Sequence, residues 1–206
     1  MKTAMMNREK RSGMRIAVYC GSRCGDDPIF AKAARELGAW IGRQGHTLVY
    51  GAGFVGMMGE LSKAVQENGG GIIGVIPQFM VDEGWQKPDL ILTEDEMAGT
   101  AAADAGVGVL FITESMSERK AMMLDLADVY IALPGGPGTL EEITEAISLS
   151  CVHQHEKECI LLNLDGYYDS LLMVYEDLIA RDFTDRELLQ HVHFAETVEE
   201  VERLIR

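Results

Sequence analysis

The sequence predicts an α/β protein with a doubly wound parallel sheet, covered by helices on both faces, in a single domain. Short apolar runs alternate along the chain with longer segments of helical periodicity. Strands that read as continuous apolar runs are typical of parallel sheets buried on both faces. No linker, repeat or low-complexity block divides the 206 residues. We therefore expect one domain at residues 14–206, preceded by a flexible tail at residues 1–13.

The predicted strands are short apolar runs that end at glycine, proline or polar residues. They are residues 15–20, 47–50, 72–76, 107–112, 129–133 and 159–164. Pro77 stops the third of them, because proline has no N–H group to continue a strand ladder.

The predicted helices repeat apolar residues every three to four positions. They are residues 28–44, 57–65, 115–126, 139–148, 168–181 and 197–205. Pro28 suits the first turn of the first helix, and Gly45 suits its end. Residues 79–106 mix acidic residues with Trp and Pro, and fit neither pattern. We expect either a mobile flap or an edge of the sheet there.

The overall charge limits the partners of this protein. Its formal net charge is −15, although its hydrophobic content of 47% is ordinary for a globular domain. Such a surface repels polyanions, so neither nucleic acid nor an anionic membrane is an expected partner. The chain has no apolar run long enough for a membrane span and no secretory signal, which predicts a cytoplasmic protein.

The cysteines do not predict a disulfide framework or a metal site. A cytoplasmic chain of this size is expected to keep its four cysteines reduced. Cys151, His153, His155 and Cys159 lie close together in sequence, but their spacing is not that of a standard structural zinc site. A helix end followed by a polar loop explains them, and we predict no metal.

The most informative stretch is the glycine-rich turn between the predicted strand at 129–133 and the helix at 139–148. Gly135, Gly136 and Gly138 allow the backbone to approach a ligand closely, so that several N–H groups point the same way. They precede a helix, where unpartnered N–H groups and the helix dipole favour an anion. The turn therefore predicts a phosphate cradle. A plain strand-to-helix turn is the alternative, but such turns rarely need so many glycines.

A second glycine-rich turn matches the dinucleotide pattern G-x-G-x-x-G at Gly51, Gly53 and Gly56. That fingerprint also needs an acidic residue at the end of the next strand, where it binds a ribose hydroxyl. The next strand here ends at Ile76 and Pro77 with no carboxylate. The turn also follows the second predicted strand instead of the first, so the pattern does not favour a bound dinucleotide.

Two adjacent cations, Arg119 and Lys120, open the helix that follows the predicted strand at 107–112. A solvated helix face is the ordinary explanation of such a pair. Their place at the carboxyl end of a strand, beside a glycine cradle, favours an anion site instead, because Arg presents a planar fork to phosphate oxygens.

These motifs resemble those of the LOG ("lonely guy") family, which is often mislabelled as lysine decarboxylases. The resemblance spans nearly the whole chain and is carried by Pro134-Gly135-Gly136-x-Gly138-Thr139-x-x-Glu142, with Met116-x-x-Arg119-Lys120 upstream. It implies a Rossmann-like homodimer without a cofactor. It also implies an enzyme that cleaves the N-glycosidic bond of an N6-substituted AMP, such as a cytokinin riboside 5′-monophosphate, and releases ribose 5-phosphate.

The resemblance also implies site residues. Arg119 and Glu142 match the catalytic pair. The positions implied to bind the substrate are Ser22, Gly53, Glu83, Met116, Lys120, Gly135, Gly136, Gly138, Thr139, Glu141 and Ser148.

Some of these positions depart from the family pattern. Ala52 replaces a glycine, and Ser148 replaces a threonine. The family's substrate-binding glutamate aligns with Gly84, so Glu83 matches that position only if the alignment is shifted by one residue. Residues 86–107 fit the family poorly.

Two other functions share these residues. A nucleotide or molybdenum-cofactor carrier of the same fold would bind a phosphate ligand without releasing a base. A pyridoxal-phosphate decarboxylase would need a Schiff-base lysine, for which Lys120 is the only candidate in the predicted site.

Overall fold

The computed structural model describes residues 13–205, and the predicted tail therefore lies, apart from Gly13, outside the described residues. Their strands are β1 (Arg15–Tyr19), β2 (Thr47–Tyr50), β3 (Gly71–Pro77), β4 (Ile91–Leu92), β5 (Gly108–Thr113), β6 (Val129–Ala132), β7 (Cys159–Leu162) and β8 (Val192–Ala195). Their helices are α1 (Pro28–Arg43), α2 (Gly56–Glu67), α3 (Gln78–Asp82), α4 (Glu96–Asp104), α5 (Met116–Leu126), α6 (Pro137–Cys151), α7 (Asp169–Ala180) and α8 (Val198–Ile205). Short 3₁₀ turns lie at Leu164–Gly166 and Arg186–Leu189.

The strands form one sheet in the order β4-β5-β3-β2-β1-β6-β7-β8, and every neighbouring pair is parallel. From β1 the chain first builds the sheet outward through β2 and β3. It later returns to the other side of β1 with β6, β7 and β8. The order of the strands therefore reverses between β1 and β6, and ligands of such sheets bind in the crevice at the carboxyl ends of these strands.

The central strands contribute side chains to two separate cores, because successive residues point to opposite faces of a sheet. Ile16 and Val18 of β1 pack with apolar residues of α1, α2 and α8. Ala17 and Tyr19 pack on the other face with residues of α4, α5 and α6. The predicted doubly wound α/β sheet is confirmed.

The predicted strands and helices are also confirmed, with differences at their ends. Residues 79–106, for which we expected a flap or an edge, contain β4 and α4, and β4 is the edge strand beside β5. The sequence analysis did not predict β8, the opposite edge. Both edge strands are short, and Ile91 and Leu92 of β4 are exposed, so neither shows a buried apolar run.

Among the described residues, no helix is both long and apolar enough to cross a membrane.

Candidate active site

The candidate site lies at the carboxyl ends of β1 and β6, where the strand order reverses. The two loops that follow these strands are joined by hydrogen bonds. The Leu133 N–H group donates to the Tyr19 carbonyl at 2.9 Å, and the Gly21 N–H group donates to the Pro134 carbonyl at 3.2 Å. The turn before α6 is therefore held directly against the loop that contains Ser22.

The predicted cradle lies at the beginning of α6. Gly136 is the N-cap residue and has no side chain to bind the first N–H groups of the helix, and Pro137 opens the first turn. A Cβ atom placed on Gly136 or Gly138 would meet no atom within 4 Å. Open space thus adjoins both glycines at the start of this helix, and helix starts of this kind suit a bound anion.

Gly135 and Thr139 form the inner wall of the cradle. Thr139 is buried, and its Oγ1 atom lies 2.1 Å from the position that a Cβ atom would take on Gly135. Any side chain at position 135 would overlap this hydroxyl group, so the close approach requires glycine here.

Arg119 and Glu142 form an ion pair beside the cradle. The Arg119 Nη1 and Glu142 Oε1 atoms are 3.3 Å apart, and each residue is only 9% exposed. The Arg119 Nε–H group donates to the Val75 carbonyl at 3.1 Å, and its Nη1 lies 3.8 Å from the sulfur of Met116. The guanidinium group is thereby fixed between the end of β3 and α6.

The start of α5 sets the position of Arg119. The Ser115 hydroxyl group accepts from the Glu118 N–H group at 3.2 Å, and the Glu118 carboxylate accepts from the Glu114 N–H group at 2.9 Å. Ser115 is thus the N-cap residue of α5, and the Glu118 carboxylate ties the residue before the cap to the same first turn. Arg119 follows immediately and points into the crevice.

Glu142 is a buried carboxylate whose charge is only partly compensated. Burial raises its pKa above the ordinary value, and the positive charge of Arg119 opposes this shift. Burial, together with the charge of Glu142, also raises the pKa of Tyr19. A carboxylate with a raised pKa in a cleft is a candidate for proton transfer or for stabilising a developing positive charge.

Lys120 pairs with two carboxylates of α6. Its ammonium group binds Glu141 directly and lies 3.1 Å from Glu145. Both contacts raise the pKa of Lys120. The amine therefore stays protonated, whereas a lysine that forms a Schiff base must lose its proton.

Contacts within the protein explain all three glycines of the second turn. A Cβ atom on Gly51 would lie 2.1 Å from Arg119 Nη2, and one on Gly53 would lie 2.6 Å from the Met58 side chain. One on Gly56 would lie 2.3 Å from the backbone of Ser22. The turn thus accommodates Arg119 and the β1 loop, and needs no dinucleotide to account for its glycines.

Ala52, which replaces the family's glycine, has a φ angle of 60°. This left-handed conformation costs about 1 kcal/mol or more for a residue with a Cβ atom. The residue is fully buried, so packing holds it in place.

Three predicted substrate-binding residues lie at the margins of this arrangement. Ser22 is exposed in the β1 loop, and Glu83 is exposed at the end of α3. Ser148 lies on α6, and its hydroxyl group donates back to the Thr144 carbonyl at 2.8 Å. Within residues 13–205, no hydrogen bond or ion pair joins these three side chains to the Arg119–Glu142 pair, and their roles stay predictions.

The sequence analysis did not identify two tyrosines that contact the cradle. The hydroxyl group of Tyr167 donates to the Gly135 carbonyl, and that of Tyr168 donates to the Leu133 carbonyl at 2.7 Å. Both follow β7, whose carboxyl end lies beside that of β6 in the sheet. Their place directly after a predicted strand was the sequence feature that could have identified them.

The cysteine and histidine residues near the end of α6 make ordinary structural contacts. His155 Nε2 lies 2.9 Å from the Ala146 carbonyl oxygen, and the Cys159 thiol lies 3.9 Å from the Lys157 carbonyl oxygen. Across residues 13–205, no group of three or more His, Cys, Asp or Glu side chains is arranged to hold a metal ion.

Comparisons with known proteins place this geometry in a family. The family described as "Possible lysine decarboxylase" matches residues 58–205. A probable cytokinin riboside 5′-monophosphate phosphoribohydrolase of Oryza sativa subsp. japonica is 39% identical over 92% of this chain and 77% of its own length. The cytokinin riboside 5′-monophosphate phosphoribohydrolase LOG of the same plant is 38% identical over 94% of this chain and 73% of its own length.

A solved structure shares the fold. The molybdenum cofactor binding protein of Rippkaea orientalis is 25% identical, with a TM-score of 0.61, over 94% of this chain and 95% of its own. The matched family covers most of the chain, and the sequence relatives are 38–39% identical over nearly all of it, so this chain belongs to the LOG family.

Proposed function

We propose that this protein hydrolyses the N-glycosidic bond of N6-substituted adenosine 5′-monophosphates, such as a cytokinin riboside 5′-monophosphate. The products are the free base and ribose 5-phosphate. The observation that carries this proposal is the buried Arg119–Glu142 pair beside the open glycine cradle. The names of the curated relatives, which describe this reaction, support it.

The cradle would hold the 5′-phosphate of the nucleotide. The N–H groups at the start of α6 suit a phosphate, and the helix dipole adds to the attraction. Lys120 is already neutralised by Glu141 and Glu145, so we assign it the role of holding the Glu141 carboxylate towards the ribose hydroxyl groups. Binding energy from the phosphate, which is remote from the reacting bond, then orients the sugar.

Glu142 would act at the anomeric carbon. When the C1′–N9 bond breaks, its electron pair leaves with the base, and the ribose develops oxocarbenium character. A nearby carboxylate stabilises that charge and accepts a proton from the attacking water, as in glycosidases. Water supplies the new oxygen at C1′, and the base takes up a proton. Arg119 keeps Glu142 ionised and oriented in its buried position.

Product identification tests this function. The purified protein is incubated with AMP and with isopentenyl-AMP, and chromatography then measures free base and ribose 5-phosphate. We expect free base and ribose 5-phosphate in equal amounts. The ratio of the rate with isopentenyl-AMP to the rate with AMP shows whether the N6 substituent is preferred. The absence of free base from both nucleotides would contradict the proposal.

A carrier function is the second candidate, and the structural likeness to a molybdenum cofactor binding protein favours it. A carrier binds its phosphate ligand without breaking a bond, and it does not need a buried carboxylate with a raised pKa. The same incubation separates the two functions, because only the hydrolase releases adenine from AMP.

The family's alternative description as a decarboxylase is disfavoured by the charge on Lys120. A pyridoxal-phosphate enzyme holds its cofactor on a lysine that is neutral when it reacts. Lys120 is paired with Glu141 and Glu145, which raises its pKa. We also propose a homodimer, as the family resemblance implies, and light scattering in solution measures this directly.

A further inference from the structure

We propose that Tyr167 is a positioning residue of the phosphate site. Its hydroxyl group holds the Gly135 carbonyl group and thereby turns the Gly136 N–H group towards a bound phosphate. The identity of the ligand rests on the proposed function, whereas the role of Tyr167 follows from contacts around the β6–α6 turn.

The turn after β7 places Tyr167 beside the cradle. Asp165 and Gly166 both have positive φ angles, of 50° and 71°, which reverse the chain sharply. The Asn163 side chain then fixes the turn, because it accepts from the Tyr168 N–H group at 2.6 Å and donates to Asp169 at 2.8 Å. The two tyrosines consequently leave this turn in one orientation, towards the loop that follows β6.

Three successive carbonyl groups of the β6–α6 turn have donors outside the turn. The Leu133 carbonyl accepts from the Tyr168 hydroxyl group, and the Pro134 carbonyl accepts from the Gly21 N–H group. The Gly135 carbonyl accepts from the Tyr167 hydroxyl group. Each carbonyl is thereby held on the side of the turn that faces β1 or β7.

Because a peptide unit is planar, fixing its C=O group also fixes the direction of its N–H group. In a trans peptide unit, the C=O group of one residue and the N–H group of the next point in opposite directions. The N–H groups of Gly135 and Gly136 therefore point away from Gly21 and Tyr167, respectively. Within residues 13–205, neither N–H group has a hydrogen-bond partner, and open space adjoins Gly136.

The position of the Tyr167 ring does not depend on its hydroxyl group. The ring makes edge contacts with Phe30, at 5.9 Å between centroids, and with Tyr168, at 4.9 Å. Tyr167 is 43% exposed, so its hydroxyl group could have remained in solvent. Its bond to Gly135 instead restrains a peptide unit between two glycines, which would otherwise rotate with little steric cost.

The test removes only this hydroxyl group. Tyr167→Phe keeps the ring contacts, and Tyr175→Phe is the matched control, because Tyr175 lines a separate pocket between α7 and β8. Calorimetry measures the affinity of each protein for ribose 5-phosphate and for adenosine. We expect Tyr167→Phe to bind ribose 5-phosphate about 5- to 10-fold more weakly, as for the loss of one hydrogen bond. Its affinity for adenosine and that of the control for both ligands should stay at the wild-type level.

The kinetic expectation follows from the same restraint. In Tyr167→Phe, kcat/KM for the nucleotide should fall by at least the factor lost in the affinity for ribose 5-phosphate, because binding of the phosphate also orients the sugar. Unchanged affinity for ribose 5-phosphate would overturn the proposal. Equal losses for ribose 5-phosphate and adenosine would also overturn it, because they indicate a general structural role.

The outcomes distinguish this proposal from the proposed function. A wild-type protein that releases no base, but whose binding of ribose 5-phosphate depends on Tyr167, would refute the hydrolase and leave the positioning role intact. If the wild-type protein releases base but Tyr167→Phe binds ribose 5-phosphate as tightly as the wild type, the hydrolase stands and the positioning role of Tyr167 is refuted. A wild-type protein that neither releases base nor binds ribose 5-phosphate would overturn both.

Discussion

The Nη2 atom of Arg119 lies 2.1 Å from the position that a Cβ atom would occupy on Gly51. The guanidinium group therefore rests directly against the backbone at the end of β2, and its Nη1 atom reaches Glu142 from there. Glycine at position 51 is required by the catalytic arrangement that we propose, and no bound nucleotide is needed to explain it.

We expect Gly51→Ala to displace Arg119 without unfolding the protein, because the clash is with the end of a side chain and not with the backbone. A misplacement of about 1 Å at a reacting centre costs on the order of 100-fold in rate, so kcat should fall by about that factor. Gly108→Ala is the control, since its Cβ atom would also meet a side-chain end, that of Leu90, at 2.8 Å. Similar activities for the two variants would contradict the role of Arg119.

Replacing Glu142 by glutamine should remove the reactive carboxylate while keeping its shape. We expect kcat to fall by about 10³-fold, within the range for a positioned proton-transfer group, with little change in the affinity for ribose 5-phosphate. Glu176→Gln is the control, because Glu176 forms an exposed pair with Arg186 at 2.6 Å. Steady-state release of the base measures both. Release at the wild-type rate by Glu142→Gln would refute the assignment.

The pH dependence of the reaction should report the environment of Glu142. Activity requires the carboxylate, and burial raises its pKa, so kcat/KM should fall with decreasing pH at values above the ordinary range of glutamate, near 4.3. The phosphate of the substrate titrates near pH 6 and also contributes to this limb.

A variant separates these two contributions to the acid limb. Arg119 lowers the pKa of Glu142, so the residual activity of Arg119→Gln should have its acid limb at higher pH than the wild type. The pKa of the free substrate does not change. An unshifted limb would assign it to the substrate instead of Glu142.

Gly138→Ala should separate stability from binding. Position 138 lies in the first turn of α6, and a methyl group there meets no protein atom within 4 Å. Alanine is favoured over glycine in helices by about 0.5–1 kcal/mol, so thermal unfolding should occur at a temperature a few degrees higher.

The same methyl group would occupy the space in front of the cradle. We therefore expect Gly138→Ala to bind ribose 5-phosphate at least about 10-fold more weakly, equivalent to about 1.4 kcal/mol. Adenosine binding, which does not use the cradle, provides the comparison. Unchanged phosphate affinity in this more stable variant would place the phosphate elsewhere.

The central strands and their helices could be predicted because each has a local signal. The strands β1, β3 and β6 are buried and, apart from Arg15, they contain no charged residue; glycine or proline lies at or near their ends. The exposed edge strand β4 has no such run, and its pairing with β5 exists only in the folded sheet. The resemblance carried by the motifs supplied the Arg119–Glu142 pair, which local periodicity does not reveal.

The sequence by itself determined the alternation of strands and helices, the glycine cradle before α6, and the family. These features depend on neighbouring residues: side-chain periodicity, backbone freedom at glycine, and unpaired N–H groups at a helix start. Only the tertiary structure decided that Arg119 reaches Glu142, that Gly51 makes room for it, and that Tyr167 holds Gly135. The physical reason is that these contacts join the ends of strands that are distant in sequence, and the strand order of the sheet brings them together.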